Sequence, residues 1–367
     1  MVGLGAVAQA VHLPLIARHP DRFHVAALCD VSPSTLAAVG DRHAIPTERR
    51  FPSVDALLEA GRLDAVIILT SGSHARSVEP ALRAGLAVLC EKPLAYTLDE
   101  VDGLAAAANA ERLQLGYMKL YDPAFVTAAR LAATRPPPRS IEVTVLHPTN
   151  AAQLAHAALL PPGADIPTTV VKRSAAELEG LQRVALGDQA APSLGPLYTG
   201  VLLGSIVHDL AMIRVLAGDP TVIDFARTWP DGTWPPSVEI AGALPNGARL
   251  SIRWHYLDRY PAYRETLAMH DEEGSISLTF PSPYLLHAPT ELTVVTTDGG
   301  SERVAVHRST VEAFEEQLLA FERLARDGTR PAAGIADGRA DIVTCQRIAA
   351  RLAAGQSIAI GGEAAEA

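Results

Sequence analysis

Met1-Val2-Gly3-Leu4-Gly5-Ala6-Val7-Ala8 opens the chain and gives the strongest indication of its fold. Its small residues have the spacing of the turn between the first strand and first helix of a dinucleotide-binding βαβ unit. In such a turn Gly3 would permit the tight bend, Gly5 would let the backbone approach a pyrophosphate, and Ala8 would permit close helix packing. The phosphates would bind at the N-terminus of the following helix, where unpaired N–H groups face them.

Asp30 lies at the end of the next apolar run, Val25-Ala26-Ala27-Leu28-Cys29. This is about the interval expected for a carboxylate that binds the hydroxyls of the adenine ribose. A carboxylate there would repel the 2′-phosphate of NADP, so the sequence favours NAD, while Ser32 and Arg42 leave NADP open. The alternative interpretation of Asp30 is an ordinary helix-capping or turn residue.

Short apolar runs alternate with amphipathic stretches as far as Leu115, which is typical of parallel strands joined by helices. The predicted strands are residues 24–29, 65–70 and 87–90, and the predicted helices are residues 8–18, 33–42, 54–60 and 77–84. Only Met1 and Val2 precede the glycine turn, so either the first strand is clipped or the true start lies upstream. We predict an α/β fold whose N-terminal Rossmann domain, a doubly wound parallel sheet, covers residues 1–118.

Alternating, β-branched segments replace this pattern from Arg139 onwards. Strands are predicted at residues 140–146, 222–227, 238–243, 249–256, 275–279 and 292–297, and helices at residues 198–216, 310–326 and 335–353. Turn signals such as Asn246-Gly247 predict a second, α+β domain at residues 119–367 with a mostly antiparallel sheet. Residues 149–196 form an unusually long connection, which is either a lid or binding loop, or a surface excursion or subunit contact.

The composition excludes several classes of partner. The chain has 367 residues and a formal net charge of −10, which argues against nucleic acid or an anionic membrane surface, because both select for clustered positive charge. We identify no signal peptide and no apolar run near the roughly 20 residues that cross a bilayer. Cys29, Cys90 and Cys345 form no disulfide or zinc pattern. These features predict a cytoplasmic protein without a metal site.

Glu91-Lys92-Pro93 follows the apolar run at residues 87–90, which places Lys92 at the carboxyl end of a buried parallel strand. Ligands bind at that edge of open α/β sheets. A lysine beside a nicotinamide can donate a hydrogen bond to a substrate oxygen. The alternative is a solvated strand-end lysine that pairs with Glu91.

Together these motifs resemble the glucose-fructose oxidoreductase, inositol dehydrogenase and MocA family. The similarity comprises Gly3 to Ala8 with His12-Leu13-Pro14, then Asp30, Thr70 to His74, Leu89-Cys90-Glu91-Lys92-Pro93, the crossing segment Gly116-Tyr117-Met118-Lys119-Leu120-Tyr121-Asp122-Pro123, and the C-terminal signature within residues 328–338. The resemblance implies a Rossmann domain joined to an open-faced sheet domain, and association through that face into homodimers or homotetramers. It also implies a catalytic Lys92 and a cis bond between Lys92 and Pro93.

His208, on an apolar helix, matches the histidine that transfers the proton in the family. Family members usually carry an aspartate four residues earlier, where this chain has Gly204. Asp209 cannot simply replace it, because adjacent helical residues do not share a face. Ser205 could supply a hydroxyl but no charge, and a core histidine with satisfied hydrogen bonds remains the alternative for His208.

The crossing segment departs from the family pattern as well. Leu120 occupies the position that usually holds arginine. Tyr117 and Lys119 are the nearby polar groups that could face the cleft instead.

The resemblance implies an NAD(P)-dependent oxidoreductase that moves a hydride between the nicotinamide and a secondary alcohol or ketone of a sugar, cyclitol or related polyol. His208 would accept the hydroxyl proton while Lys92 stabilises the alkoxide. The alternatives are a reductase of a nucleotide-linked keto-sugar or other bulky carbonyl compound, suggested by residues 149–196, and a non-catalytic dinucleotide-binding sensor, suggested by Gly204. The predicted cofactor-binding residues are Gly3, Gly5, Ala6, Val7, Ala8, Asp30, Thr70, Ser71, His74, Glu91, Lys92 and Pro93, and the predicted substrate-binding residues are Lys92, Tyr117, Lys119, Ser205 and His208.

Overall fold

The structure is a computed structural model that describes residues 1–161 and 163–367. Contacts along the chain divide it into two compact units. Unit 1 comprises Met1–Tyr117, Ala157–Ala185 and Gln317–Ile342, and unit 2 comprises Met118–His156, Leu186–Glu316 and Val343–Ala367. The first stretch of unit 1 ends at Tyr117, next to the domain boundary predicted at residue 118. Residues 157–185 and 317–342, predicted as parts of the second domain, also belong to unit 1.

Unit 1 is built on parallel strands. They are β1 (Leu28–Cys29), β2 (Arg50–Phe51), β3 (Ala65–Ile68), β4 (Ala87–Glu91) and β5 (Leu113–Gly116), with β1 paired to β2 and β4 paired to both β3 and β5. The prediction of a parallel N-terminal sheet is confirmed. Residues 24–27, predicted as strand, lie outside β1, because the neighbouring strand β2 is only two residues long and a strand needs a partner along its length.

Val2 fills the place of the clipped first strand. It forms parallel bridges to Cys29 on one side and to Ile68 on the other. Its N–H donates to Ile67 O at 2.8 Å, and its carbonyl accepts from Leu69 N at 2.8 Å. One buried residue therefore joins the two groups of strands and brings the glycine turn to the carboxyl end of the sheet.

Three of the five α-helices in residues 1–117 begin at a side-chain cap, provided by Ser32, Ser53 and Thr97. The five helices are α1 (Leu13–Ala17), preceded by one π-helical turn at Ala8–His12, then α2 (Pro33–Arg42), α3 (Val54–Glu59), α4 (Ala75–Arg83) and α5 (Leu98–Ala105). Ser32 caps α2 by accepting from Thr35 N, and Pro33 takes the first helical position, where its missing N–H costs nothing. The predicted bounds of this helix, residues 33–42, are confirmed.

Unit 2 is built on an eight-stranded sheet. Its strands are β6 (Ser140–His147), β7 (Val222–Trp229), β8 (Ser237–Ala243), β9 (Arg249–Tyr256), β10 (Arg264–Asp271), β11 (Gly274–Phe280), β12 (Glu291–Asp298) and β13 (Ser301–Arg308), in the spatial order β13-β12-β11-β10-β6-β9-β8-β7. All neighbours are antiparallel except β6 and β9. The predicted mostly antiparallel sheet is confirmed.

Two of these strands, β10 and β13, were not predicted from the sequence. The edge strand β13 is exposed along almost its whole length, so it has no buried face to give an apolar alternation. In β10 the inward positions alternate as Glu265, Leu267 and Met269. With a glutamate at the first of these positions, only two apolar residues remain to mark the buried face of β10.

The remaining helices are α6 (Pro123–Ala132), α7 (Asn150–Leu154), α8 (Thr168–Leu197), α9 (Val207–Ala217), α10 (Ala313–Asp327) and α11 (Ile335–Gly355), with a π-helical stretch at Tyr198–Ile206. The long helix α8 is broken at Gly187, whose φ of 79° and ψ of 164° are not helical. A Cβ on Gly187 would lie 2.6 Å from Gly361 Cα, so the break also permits close approach of two backbone segments.

The helical run Thr168–Ala217 is long and apolar enough to cross a bilayer, judged by length and composition. Of its most apolar window, 56% is buried inside the structure, as in the core helices of folded proteins. One helix of this kind is weak evidence for a membrane span. The absence of a membrane partner stays a prediction.

Candidate functional site

The glycine turn of unit 1 has the conformation that its sequence predicts. Gly3 has a φ of +83°, and a Cβ there would lie 2.8 Å from both Leu69 C and Thr70 N. Only glycine fits this position. At Gly5, by contrast, a Cβ would meet no heavy atom of the described residues within 4 Å, so a ligand can approach its backbone.

Asp30 joins the end of β1 to the glycine turn. Its Oδ2 accepts from Leu4 N at 2.8 Å, and its Oδ1 accepts from Ser32 N at 2.8 Å. A carboxylate has about four lone-pair sites, so each oxygen can accept a further hydrogen bond. The Asp30 carboxylate can therefore hold the turn and bind ribose hydroxyls at the same time.

His74 connects two predicted cofactor-binding segments. Its ring is buried, with Nδ1 2.6 Å from Pro93 O and Nε2 2.7 Å from Thr70 O. Burial lowers the pKa of His74, against the opposing effect of the two carbonyl acceptors. The imidazole thus lies between the loop after β3 and the loop after β4, with one ring nitrogen next to a carbonyl oxygen of each. Ser71 lies exposed in the first of these loops.

Lys92 lies directly after β4, half-buried, and its bond to Pro93 is cis, as the family resemblance implies. Before it, the Glu91 carboxylate lies 3.8 Å from the ring of the buried His12. The tripeptide therefore occupies the carboxyl edge of the central strand of β3-β4-β5, as predicted.

The C-terminal signature supports this loop. A Cβ on Gly338 would lie 2.9 Å from the Leu94 side chain, so glycine lets the start of α11 approach the residues after Pro93. Asp337 Oδ2 accepts from Gly334 N at 2.8 Å and fastens the turn that enters the helix. The signature thus has a packing role in unit 1.

Tyr117 was predicted to bind substrate, and the structure buries it instead. Its hydroxyl donates to Asp341 Oδ2 within unit 1, and the residue is 1% exposed. This hydrogen bond occupies the phenol, so the structure supports a structural role for Tyr117.

In unit 2, His208 is half-buried in the first turn of α9. Ser205, predicted to assist it, accepts a hydrogen bond at 2.9 Å from the indole N–H of Trp254 on β9. A Cβ on Gly204 would lie 3.2 Å from Thr199 O, so a side chain there would require this backbone carbonyl to shift by a few tenths of an ångström.

A buried charged cluster surrounds Lys119, the other predicted substrate-binding residue. Lys119 Nζ donates to Glu265 Oε2, and the same oxygen accepts from Tyr263 OH. Burial raises the pKa of Asp209 well above its usual range, and the nearby Glu265 carboxylate adds to this rise. Lys119 is thus an ion-pair partner of Glu265 inside unit 2.

Sequence reasoning missed Glu265 and the role of Asp209. Glu265 belongs to the unpredicted strand β10, where it is 1% exposed. The available signal was the alternation of Glu265 with Leu267 and Met269, since a carboxylate at an inward position requires a buried partner.

An aromatic group lies beside this cluster in unit 2. The His147 ring stacks on Tyr256 with centroids 5.8 Å apart, and it meets Trp254 and the Tyr263 ring at 5.8 and 5.5 Å. Trp254 also binds Ser205 on the helical stretch that leads to His208. Aromatic faces together with polar groups of this kind are common in the walls of small-molecule sites.

Comparisons with known proteins agree with this geometry. A family model described as "Oxidoreductase family, NAD-binding Rossmann fold" matches residues 1–118. The inositol 2-dehydrogenase of Leifsonia xyli subsp. xyli is 37% identical over 129 residues, which cover 33% of this chain and 37% of that protein. The UDP-N-acetylglucosamine 3-dehydrogenase of Acidithiobacillus ferrooxidans is 34% identical over 152 residues, which cover 35% and 47% of the two chains. The matched segments thus span less than half of the length of these relatives.

Solved structures extend the similarity to the whole fold. The crystal structure of the same Acidithiobacillus enzyme superposes with a TM-score of 0.68 at 21% identity and covers 96% of both chains. A putative myo-inositol dehydrogenase from Sinorhizobium meliloti 1021 gives a TM-score of 0.65 at 19% identity, again over 96% of both. At these identities the likeness concerns the fold.

Proposed function

We propose that the protein is an NAD-dependent dehydrogenase, because the family model of NAD-binding Rossmann-fold oxidoreductases matches residues 1–118. It transfers a hydride between the nicotinamide and a secondary alcohol or ketone of a sugar, cyclitol or related polyol. The inositol 2-dehydrogenases among its relatives support this substrate class.

The proposal rests on the glycine turn and on Asp30, which accepts a hydrogen bond from Leu4 N in that turn. Gly5 leaves its backbone open to a pyrophosphate, and the Asp30 oxygens retain lone pairs for ribose hydroxyls. Gly3, Gly5, Ala6, Val7, Ala8, Asp30, Thr70, Ser71, His74, Glu91, Lys92 and Pro93 are the residues proposed to hold the dinucleotide. The residues present therefore fit the cofactor.

The bound nicotinamide would supply or accept the hydride. Lys92 donates a hydrogen bond to the reacting substrate oxygen and stabilises negative charge on it. His208 accepts the hydroxyl proton in oxidation and returns it in reduction. His74 holds the carbonyl of Pro93 and thereby positions the loop that carries Lys92.

Fluorescence titration with NADH and NADPH tests the cofactor, and a turnover screen of sugars, cyclitols and keto-sugars tests the reaction. Lys92→Ala and His208→Ala should each lower kcat by about a hundredfold or more, as loss of a charge stabiliser or an acid–base group does. Lys172→Ala is the control, because Lys172 lies exposed on α8. Full activity of Lys92→Ala, or no binding of either dinucleotide, would refute the proposal.

A nucleotide-linked sugar is the second candidate substrate. The UDP-N-acetylglucosamine 3-dehydrogenase is similar to this chain in both sequence and fold. Including UDP-sugars in the turnover screen separates the two substrate classes directly.

Association is proposed through the open face of the unit 2 sheet. Phe225 on β7 and Val304 and Val306 on β13 are 42%, 52% and 49% exposed. Sedimentation velocity at micromolar concentration should show a dimer or tetramer, and a monomer would contradict this.

A further inference from the structure

Part of the long connection after β6 binds the dinucleotide-binding half of the chain. Residues 157–185 belong to unit 1. Leu160 packs against the core cluster that contains Leu4 and Leu36, and its N–H donates to Gln9 Oε1 at 2.9 Å. We call residues 157–161 and 163–165 the strap.

Asp165 of the strap binds the loop that follows Asp30. Its Oδ1 accepts from Ser32 Oγ at 2.6 Å and from Ser34 Oγ at 2.8 Å, and its Oδ2 accepts from Ser34 N at 2.8 Å. These hydrogen bonds, that of Ser32 first, lower the pKa of Asp165. The strap thus places an ionised carboxylate on three donors next to Asp30.

Two further contacts fasten the strap at this place. Arg42 Nη1 donates to Ala158 O at 2.9 Å, and Gly163 N donates to Thr35 Oγ1 at 3.1 Å. A Cβ on Gly163 would lie 1.9 Å from Ser32 Oγ, so the close approach depends on glycine.

The contacted loop is the one that distinguishes NAD from NADP in a Rossmann domain. The ribose 2′ position is read just after the second strand of the βαβ unit, by a carboxylate for a hydroxyl or by cationic and hydroxyl donors for a phosphate. Here the groups that could receive a phosphate are Ser32, Ser34 and Arg42. All of them donate to the strap.

We propose that the strap excludes NADP, with Asp165 as a specificity-determining residue. Its carboxylate occupies the donors that a 2′-phosphate needs and adds a negative charge beside that of Asp30. This inference rests on the proposed dinucleotide binding and adds to it a reason for the choice between the two cofactors.

The test measures Kd for NADH and NADPH in wild type, Asp165→Ala, Asp165→Asn and Glu179→Gln. The control Glu179→Gln removes the same charge from an exposed residue of α8, whose side chain is 68% exposed. Both Asp165 variants should lower the ratio of Kd for NADPH to Kd for NADH by about tenfold or more, the effect of one hydrogen bond to a charged group. The control should leave the ratio unchanged, and circular dichroism checks that each variant is folded.

Salt provides an independent measurement. Because Asp165 is exposed, salt screens its repulsion of a phosphate. The wild-type ratio of Kd for NADPH to Kd for NADH should therefore decrease as the salt concentration is raised from 0.05 to 0.5 M, where the Debye length shortens from about 14 to about 4 Å. In Asp165→Ala this salt dependence should be smaller.

Three results would overturn the inference. If both Asp165 variants still bind NADH and their Kd ratio is unchanged, the strap does not select the cofactor, while the proposed function stays intact. If the variants bind NADH and NADPH more tightly by the same factor, the strap hinders the dinucleotide as a whole and not its 2′-phosphate. Binding of neither dinucleotide to wild type would overturn the proposed function together with this inference.

Discussion

Replacement of Lys119 by methionine should destabilise unit 2 strongly. The ion pair between Lys119 and Glu265 is almost completely buried, with side chains 8% and 1% exposed. Methionine keeps the length of the side chain but removes the charge that compensates Glu265. The nearby Asp209 cannot replace the lost charge, because a carboxyl group is either neutral or negative.

The magnitude follows from the burial. Removing one partner of a buried ion pair costs about 3–5 kcal/mol, since an uncompensated charge stays inside. For a unit of this size that corresponds to a fall in Tm of about 6–20 °C. The exposed Lys172→Met is the matched control and should change stability by about 0.5 kcal/mol or less.

Urea unfolding followed by circular dichroism measures the loss, and a double variant separates the charge from the packing. Lys119→Met with Glu265→Gln removes both charges and retains an acceptor for Tyr263. It should be more stable than Lys119→Met alone by about 1 kcal/mol or more, because a buried pair can be replaced by neutral groups at little cost.

A loss of stability below 1 kcal/mol in Lys119→Met at pH 7 would refute the description of this cluster.

Three further predictions concern Asp209, His74 and the glycine turn. The pKa of Asp209 is raised in the folded state, so the free energy of unfolding should fall as pH rises above the unfolded-state pKa of about 3.9. The slope is at most about 1.4 kcal/mol per pH unit. Asp209→Asn should remove this slope in urea unfolding between pH 5 and 8. The pKa of His74 is lowered in the folded state, so its contribution to the free energy of unfolding is complete above about pH 6.5 and is lost as pH falls below that value. Between pH 7 and 5, His74→Gln should therefore lose less stability than the wild type. Gly3→Ala should lower Tm and abolish NADH binding, because its Cβ would lie 2.8 Å from Leu69 C. Gly5→Ala should keep the wild-type Tm and weaken only NADH binding. Equal Tm values for the two variants would contradict this.

Local motifs could be predicted because the chemistry of each lies within a few consecutive residues. The glycine turn, the bounds of α2 and the place of Lys92 at the end of β4 follow from spacing, capping and periodicity. The alternation of apolar residues predicted most of the strands in unit 2 because each of those strands has one buried face.

From the sequence we could therefore predict most of the strands and helices, and the turn that we propose receives a dinucleotide. The contacts between distant residues became visible in the folded chain: Glu265 binds Lys119 across 146 positions of sequence, and Asp165 binds Ser32 across 133. Periodicity reports which side of an element is buried but not what it is buried against. A buried carboxylate or a strap acquires its role from a distant partner, and that partner is chosen only when the elements pack.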